Sequence, residues 1–400
     1  MSEIWHILKS GHWPSLAGAW LHLTVSFMVW LLVGAMSIPL KAALQLNDAQ
    51  IAWLVSLPLL GGAVLRMVAG WGADWFGARP AAVAILVAEF LVLCWGWLGV
   101  TGYGDAVVFA ACLGVAGASF AVALPTAGRA YPPPAQGLVL GIAASGNIGT
   151  VLIFFLAPCW AATMDWHQVC GMMAGVVALT LLGFMLAVPG ATSASGTHTV
   201  AWWHHAVRLI RRRLAYWVCF LYAITFGGFV GLCSVLPLLL HDVYQVDAVQ
   251  AGTVAALCGL MGSVIRPVGG YVADRRGGLR TLYYVLPVIA GAMVAVISPS
   301  RTMAIVMMVV ATAAMGFGNG VVFQLVAEWF PQDIGLASGV VGAAGAVGGF
   351  LLPILIGMMK GLWGSYELGL WLFAGFTVCA WGTVMVALRS DRSFPVELSS

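Results

Sequence analysis

Two arginines occupy matching positions in long apolar stretches of the chain. Arg66 precedes Asp74 by eight residues, and Arg266 precedes Asp274 by the same interval. A guanidinium is permanently charged and presents a planar fork of N–H donors that suits an oxyanion. A charged side chain at the centre of a membrane costs at least about 2.5–3.5 kcal/mol, so such a residue is functional by default. The pair therefore indicates a site for a small anion.

Acidic partners for these arginines are scarce, because Glu89 is the one carboxylate deep inside a predicted span, while Glu367 lies at the edge of the last span. A structural ion pair is the alternative to an anion site, but one acid cannot neutralise two arginines. Glu89 remains a secondary candidate, either as a proton carrier or as a partner of Arg66 or Arg266. His22 is the other candidate for proton transfer within a span, although an interfacial histidine with satisfied hydrogen bonds explains this residue better than a proton carrier does.

Depth in the membrane follows from helix rise. Arg66 lies eight residues, or about 12 Å, from Asp74 at the inner edge, and half the hydrocarbon thickness is about 15 Å. Tyr222 and Phe226 are four residues apart and so share one helix face. Core packing is the ordinary role of such aromatics. Four residues reach a depth similar to that of the arginines: Phe120, Asn147, Tyr222 and Phe226.

The elements that must position these residues are membrane helices. Hydrophobic residues make up 62% of the 400 and charged residues 8%, whereas a soluble domain has roughly a quarter charged. A span needs about 20 largely apolar residues. The sequence predicts an all-α membrane protein with twelve transmembrane helices, near residues 16–38, 50–73, 80–102, 106–130, 135–158, 168–189, 214–241, 248–272, 280–298, 302–327, 334–359 and 366–388.

The 17 Lys and Arg residues sort by side of the membrane. Outward segments hold only Lys41, Arg301 and Lys360, so both termini are predicted in the cytoplasm. A Gly/Ser/Thr-rich stretch ending in a basic cluster separates two groups of six spans. The predicted divisions are residues 1–189, a cytoplasmic linker at 190–213, and residues 214–400. The inward segments hold Lys9, Arg79, Arg129, Arg208, Arg211, Arg212, Arg213, Arg275, Arg276, Arg280, Arg389 and Arg392.

A repeated motif relates the two groups of spans. The string GWGADWFGAR begins at Gly70, and GYVADRRG begins 200 residues later at Gly270. This G-x-x-x-D-x-x-G pattern resembles the signature loop of the major facilitator superfamily, which implies two pseudo-symmetric six-helix halves and alternating access. An Asp at a helix end can bind a neighbouring helix and close the inner side, although a fixed structural staple is the alternative. The predicted gating residues are Gly70, Asp74, Gly77, Arg79, Gly270, Asp274, Arg275 and Gly277.

A more specific resemblance covers nearly the whole chain. The strings GASFAVALP (117–125) and GIAASGNIG (141–149), with GNGVVFQ (318–324) and YAITF (222–226), resemble the motifs of the nitrate/nitrite porter family, particularly its assimilatory branch. The resemblance implies that Arg66 and Arg266 grip the anion. It implies that Phe120 and Phe226 cover the faces of the anion and that Asn147 and Tyr222 donate hydrogen bonds. Asn319 is a secondary candidate.

The sequence therefore predicts a secondary active transporter of nitrate, and of nitrite as a second substrate, in a bacterial inner membrane. Opposing the membrane potential costs about 2.3 kcal/mol per charge per 100 mV, so protons must enter or an anion must leave; proton symport is favoured over nitrate/nitrite exchange. A carrier of another small anion, such as a carboxylate, is the alternative. We expect a lipid-embedded monomer that is neither an enzyme nor a nucleic-acid binder, with no cofactor or metal.

Overall fold

Twelve helical segments make up the protein in the computed structural model, which describes residues 11–132, 136–189, 212–330 and 334–389. No strand occurs in that part of the chain. The segments are α1 (Trp13–Trp30, continued by Leu32–Ala35 and Ser37–Ala43), α2 (Asp48–Trp75), α3 (Ala78–Leu98), α4 (Tyr103–Cys112, Gly114–Gly117 and Phe120–Arg129), α5 (Gln136–Ala144, Ser145–Asn147 and Ile148–Ala161), α6 (Trp166–Ala187), α7 (Arg213–Tyr222, Ala223–Gly227 and Gly228–Tyr244), α8 (Ala248–Arg276), α9 (Gly278–Ala295), α10 (Arg301–Trp329), α11 (Ile334–Trp363) and α12 (Glu367–Arg389).

Eleven segments within the described ranges are long and apolar enough to cross a membrane. The first segment is the exception, because it breaks at Leu31 and Met36 and carries His22 among its apolar residues. Its buried side chains nevertheless extend from Ser15 to Leu40. The prediction of an all-α protein with twelve helices is confirmed. The predicted linker at 190–213 lies almost entirely outside the described residues.

Interruptions of regular helix fall beside the residues that the sequence singled out. In α4 the helix restarts at Phe120, and in α5 a 3₁₀ turn covers Ser145–Asn147. In α7 a π-helical turn spans Ala223–Gly227, directly after Tyr222. Such local changes of helical winding redirect side chains and often accompany functional sites. The interruptions therefore coincide with the helical segments that carry the predicted site residues.

The repeated motif is mostly helical rather than a loop, which corrects the sequence-based expectation. Gly70 and Asp74 belong to the last turns of α2, and Gly270 and Asp274 to those of α8. Only the final glycine leaves the helix. Gly77 has φ 97 and ψ 152, and Gly277 has φ 84 and ψ 137. This backbone region is essentially restricted to glycine, which explains why the motif ends on glycine in both places.

The chain separates into two compact units. The first contains residues 11–189 together with Ser234–Ala256, and the second contains residues 212–233 and 257–389. In each unit the second and fourth helices meet through glycines, because a Cβ at Gly114 would overlap Gly61 and a Cβ at Gly316 would overlap Gly262. Small residues permit such close backbone approach between membrane helices. The predicted domain boundaries stay a prediction.

Candidate anion-binding site

Arg66 is held in the interior of the first unit. Its side chain is 6% exposed, and its Nε and Nη2 atoms both donate to the carbonyl oxygen of Gly117, at 3.3 and 3.0 Å. The guanidinium carbon lies 5.5 Å from the ring centroid of Phe120 and 6.0 Å from that of Trp30. The Trp30 indole is fixed in turn, because its Nε1 donates to the Pro58 carbonyl at 2.7 Å. One edge of the guanidinium is therefore anchored between two rings.

Arg266 has a matching environment in the second unit. Its guanidinium carbon lies 5.1 Å from the ring centroid of Phe323, and its Nη2 donates weakly to the Tyr222 hydroxyl at 3.4 Å. The α8 backbone at this point packs tightly on α10, because a Cβ at Gly320 would overlap the Arg266 carbonyl oxygen. Within the described ranges no acidic side chain forms an ion pair with Arg266. Its charge is thus stabilised by a ring face and a hydroxyl.

Tyr222 and Phe226 form a stacked aromatic pair on α7. Their ring centroids are 5.0 Å apart and the ring planes differ by 2°, which confirms that they share one face. Both are nearly buried. Tyr222 also meets Phe323 edge to face at 5.1 Å, so Phe226, Tyr222, Phe323 and Arg266 follow one another in a continuous row. Aromatic pairs of this kind contribute about 0.5–1.5 kcal/mol beyond burial.

The row of aromatic residues and the π-helical turn beside it pack against α11 at two glycines, where any side chain would collide with them. A Cβ at Gly345 would lie 2.5 Å from Cδ1 of Tyr222 and 2.9 Å from Cδ1 of Phe226. A Cβ at Gly348 would lie 2.5 Å from the carbonyl oxygen of Ala223, inside the π-helical turn. The bulged turn of α7 therefore rests directly on the glycines of α11, which lets the two rings occupy the space that side chains would take.

Sequence reasoning missed Phe323 and Trp30. Phe323 stands to Arg266 as Phe120 stands to Arg66, and both phenylalanines lie in corresponding motifs of the fourth helix of each half. Applying the internal repeat to these motifs would have identified Phe323. Trp30 has no such signal, because it lies in α1, 36 residues before the arginine that it contacts.

The remaining candidates are Asn147 on α5, Asn319 on α10 and Glu89 on α3. The side-chain oxygens of Asn147 and Asn319 have no hydrogen-bond donor, and no hydrogen bond joins either asparagine to an arginine among the residues described. Glu89 is fully buried and neither of its carboxylate oxygens is hydrogen-bonded. The alternative in which Glu89 pairs with Arg66 or Arg266 has no ion pair or hydrogen bond to support it among the described residues, and the role of Glu89 stays a prediction.

At the inner ends of the helices, the motif residues make different contacts in the two units. Arg79 donates from Nη2 to the Met185 carbonyl at 3.2 Å and so ties α3 to the end of α6. Arg275 lies over the Tyr271 ring of its own helix at 4.4 Å. Asp274 is exposed, and the side chain of Asp74 lies outside the described residues. The part these residues play in gating therefore stays a prediction.

Comparisons with known proteins agree with this architecture. Residues 19–327 match the Major Facilitator Superfamily. The chain is 32% identical over 343 residues to a probable nitrate/nitrite transporter NarK2 of Mycobacterium tuberculosis strain CDC 1551 / Oshkosh, covering 83% of this chain and 85% of that protein. It is 28% identical over 371 residues to a probable nitrate/nitrite antiporter NarK1 of Thermus thermophilus, covering 84% and 82%.

The fold is also similar to that of solved transporters. A bacterial homologue of the human lysosomal transporter Spinster, in an inward-facing and occupied conformation, superposes with a TM-score of 0.78 at 16% identity, covering 94% of this chain and 96% of that chain. These matches are to transporters rather than to enzymes. The superfamily match covers most of the chain, and the NarK2 relative exceeds 30% identity over most of its length. The chain therefore belongs to the nitrate/nitrite porter family of the major facilitator superfamily.

Proposed function

We propose that this protein carries nitrate, and nitrite as a second substrate, across a bacterial inner membrane by alternating access. The observation that carries the proposal is that each unit holds an arginine beside an aromatic ring, buried in the first unit and half-buried in the second, at corresponding positions of the second and fourth helices. The relatives are named as probable nitrate/nitrite transporters and antiporters, which supports this pair of substrates.

In this proposal Arg66 and Arg266 supply the charge that replaces the hydration of the anion. Nitrate is flat, and a guanidinium offers parallel N–H donors in one plane. Two guanidinium groups can therefore donate hydrogen bonds to all three nitrate oxygens, which a compact ammonium group cannot do in the same way. The Gly117 carbonyl orients the fork of Arg66, since it accepts from both Nε and Nη2. Tyr222 orients that of Arg266.

The aromatic residues select for size and exclude water. The face of a phenyl ring is electronegative, so Phe120 and Phe226 are not the source of attraction for an anion. They limit the space to a thin, weakly hydrated solute and favour planar nitrate over a bulkier carboxylate. Asn147 and Tyr222 add hydrogen bonds to the oxygens, and Asn319 serves as a secondary donor.

The inner ends of the helices act as the gate. Gly70, Asp74, Gly77 and Arg79 in one half, and Gly270, Asp274, Arg275 and Gly277 in the other, are proposed to make contacts that form and break as the inner side closes and opens. The concentration of Lys and Arg in the segments predicted to face inward favours a cytoplasmic position for both termini. The protein works as a monomer in the bilayer.

Energy for uptake comes from protons in this proposal. One proton per nitrate cancels the electrical work of about 2.3 kcal/mol per 100 mV, and a second makes entry favourable. Exchange of nitrate for nitrite is the alternative, and it is favoured by the antiporter name of the Thermus thermophilus relative. Both mechanisms use the same arginines.

Purified protein in liposomes distinguishes these mechanisms. Vesicles without internal nitrite should accumulate nitrate when the outside is acidic, and acetate or formate in excess should not compete. Uptake that requires internal nitrite and ignores the pH gradient would establish exchange instead. Failure to move nitrate under either condition, with the protein folded and inserted, would overturn the assignment of substrate. Empty liposomes supply the background.

A further inference from the structure

Three buried polar residues of the first unit remain outside the anion site. His22 and Ser26 lie four residues apart on α1, and Glu89 lies on α3; each has a relative exposure of 0%. The Nε2 atom of His22 is 3.1 Å from the carbonyl oxygen of Ala82, seven residues before Glu89 on the same helix. The Ser26 hydroxyl neighbours the Glu89 carboxyl, although it is outside hydrogen-bond geometry. One face of α1 thus meets one face of α3.

This cluster has fewer hydrogen-bond donors than acceptors. A carbonyl can only accept, so the Nε2 of His22 carries a hydrogen and donates it to Ala82. The Nδ1 of the same neutral ring is then an acceptor, and it has no partner. The Ser26 hydroxyl and both Glu89 oxygens are also unpartnered. Among these groups only the Ser26 hydroxyl can donate a hydrogen bond. Protonation of the Glu89 carboxylate would add a second donor.

The cluster also lies at the depth where a charge is most costly. Glu89 follows the first residue of α3 by eleven positions, or about 16 Å, near the centre of a hydrocarbon layer about 30 Å thick. No charged side chain among the described residues acts on its carboxyl. Titratable residues on the helices packed against α1 and α3 are Asp48, Arg66 and Asp74 on α2, Tyr103, Asp105, Cys112 and Arg129 on α4, Cys159 on α5, and His167 and Cys170 on α6.

Three of these charged groups form hydrogen bonds with residues other than Glu89. Arg66 donates to Gly117, Asp48 accepts from Lys41, and Asp105 accepts from Thr101. An ionised carboxylate enclosed without a partner is strongly disfavoured, whereas the protonated acid is a neutral group that can donate a hydrogen bond to the neighbouring Ser26 hydroxyl.

We propose that His22, Ser26 and Glu89 form the site that binds the co-transported proton, an inference that rests on the function proposed above. The carboxylate of Glu89 takes one proton from the outer solution, forming an O–H bond, and releases it to the inner solution as H⁺. The Ser26 hydroxyl, which neighbours the carboxyl, accepts the hydrogen bond of the protonated acid, and His22 holds α1 against α3 through the Ala82 carbonyl. Glu89 is the proton carrier, and His22 and Ser26 are positioning residues. One site of this kind moves one proton per nitrate.

The test compares wild type, Glu89→Gln and Glu367→Gln in liposomes. Glu367, on the first turn of α12, is the matched carboxylate control. A pH-sensitive dye inside the vesicles reports proton entry, and labelled nitrate reports its flux. We expect Glu89→Gln to lose one proton per nitrate and to stop accumulating nitrate in a pH gradient, while nitrate/nitrite exchange at equal pH continues. Glu367→Gln should behave as wild type.

Further variants keep the proposal falsifiable if Glu89→Gln fails to insert. His22→Gln retains an amide donor for the Ala82 carbonyl and replaces the basic ring nitrogen by a weakly basic amide oxygen, so it should shift the pH dependence of uptake while exchange persists. Glu89→Asp should restore part of the coupling. An unchanged proton-to-nitrate ratio in Glu89→Gln overturns the site but leaves nitrate transport standing. Uptake driven by Na⁺ and not by a pH gradient would overturn it too. If the wild-type protein transports no labelled nitrate in these liposomes, the proposed function itself is wrong.

Discussion

The guanidinium of Arg266 lies 5.1 Å from the centroid of the Phe323 ring. The same relationship recurs in the first unit, where Arg66 lies 5.5 Å from the centroid of Phe120. In both units the arginine is on the second helix and the phenylalanine on the fourth, so the duplicated halves preserve a cation–π pair as well as a fold. A ring face beside an interior arginine stabilises its charge without supplying a carboxylate that would compete with an anion.

Replacing Phe323 by leucine tests this pair. A desolvated cation–π contact contributes about 0.5–2 kcal/mol, so Phe323→Leu should raise the KM for nitrate roughly two- to thirtyfold, at an unchanged level of folded protein. Phe376→Leu is the matched control, because Phe376 is 52% exposed on α12. Initial rates of nitrate uptake in liposomes give both values. Equal KM values in the two variants would show that the ring does not support the arginine.

Lysine in place of either arginine should abolish most transport. An ammonium keeps the charge but loses the planar fork, and hydrogen bonds to charged groups contribute about 1.5–3 kcal/mol each. We therefore expect Arg66→Lys and Arg266→Lys to lower kcat/KM by more than about tenfold while the thermal unfolding temperature changes little. Arg276→Lys, at the exposed inner end of α8, should be active. Wild-type uptake in both interior variants would remove the arginines from the site.

The helices and the paired arginines were predictable because they depend on local or repeated signals. Apolar windows of about 20 residues mark a membrane helix wherever they occur, and the repeat of the Gly70 motif at Gly270 exposed Arg66 and Arg266 together. The shared face of Tyr222 and Phe226 followed from their spacing alone. The same internal repeat could also have predicted Phe323 as the counterpart of Phe120.

The π-helical turn of α7 could not be predicted, because its cause lies in another helix. A Cβ at Gly348 would meet the Ala223 carbonyl oxygen, so the bulge and the α11 glycines fit one another across more than a hundred residues of sequence. Trp30 beside Arg66 is equally non-local. The isolation of Glu89 also needed the structure, since a sequence reveals a buried acid but not the absence of its partner.

Adding one methyl group to α11 should disturb the aromatic row of the second unit. The Cβ of Gly345→Ala would lie 2.5 Å from Cδ1 of Tyr222, so the rings of Tyr222 and Phe226 must shift. Misplacement of about 1 Å can cost about a hundredfold in activity, and we expect a loss of tenfold or more in kcat/KM. Gly339→Ala on the same helix meets no atom within 4 Å and serves as the control. Similar kinetics for both would mean that the row tolerates displacement.

An outer ion-pair cluster gives the protein a pH dependence at the alkaline end. The Nζ of Lys41 lies 2.6 Å from Oδ1 of Asp48 and 3.5 Å from Oδ2 of Asp242, with its side chain 25% exposed. Burial opposes the charged form of Lys41, but the two carboxylates outweigh it and raise its pKa above the ordinary value. A raised lysine pKa stabilises the folded state below the ordinary value, about 10.4, and that stabilisation disappears as pH rises through the folded-state pKa.

Thermal unfolding of Lys41→Met against wild type in detergent tests this sign. The variant should be less stable by about 0.2–1 kcal/mol at pH 8, the range for exposed pairs, and the difference should shrink as pH rises through the raised pKa of Lys41 in the folded state. Asp242→Asn should reproduce part of the loss. Asp247→Asn removes a carboxylate that accepts from the Gln250 backbone instead, so its effect should not vary with pH over this range. A stability gap between wild type and Lys41→Met that does not narrow as pH rises through the raised pKa of Lys41 would contradict the ion-pair explanation, because an uncharged amine loses its electrostatic attraction to the carboxylates of Asp48 on α2 and Asp242 on α7.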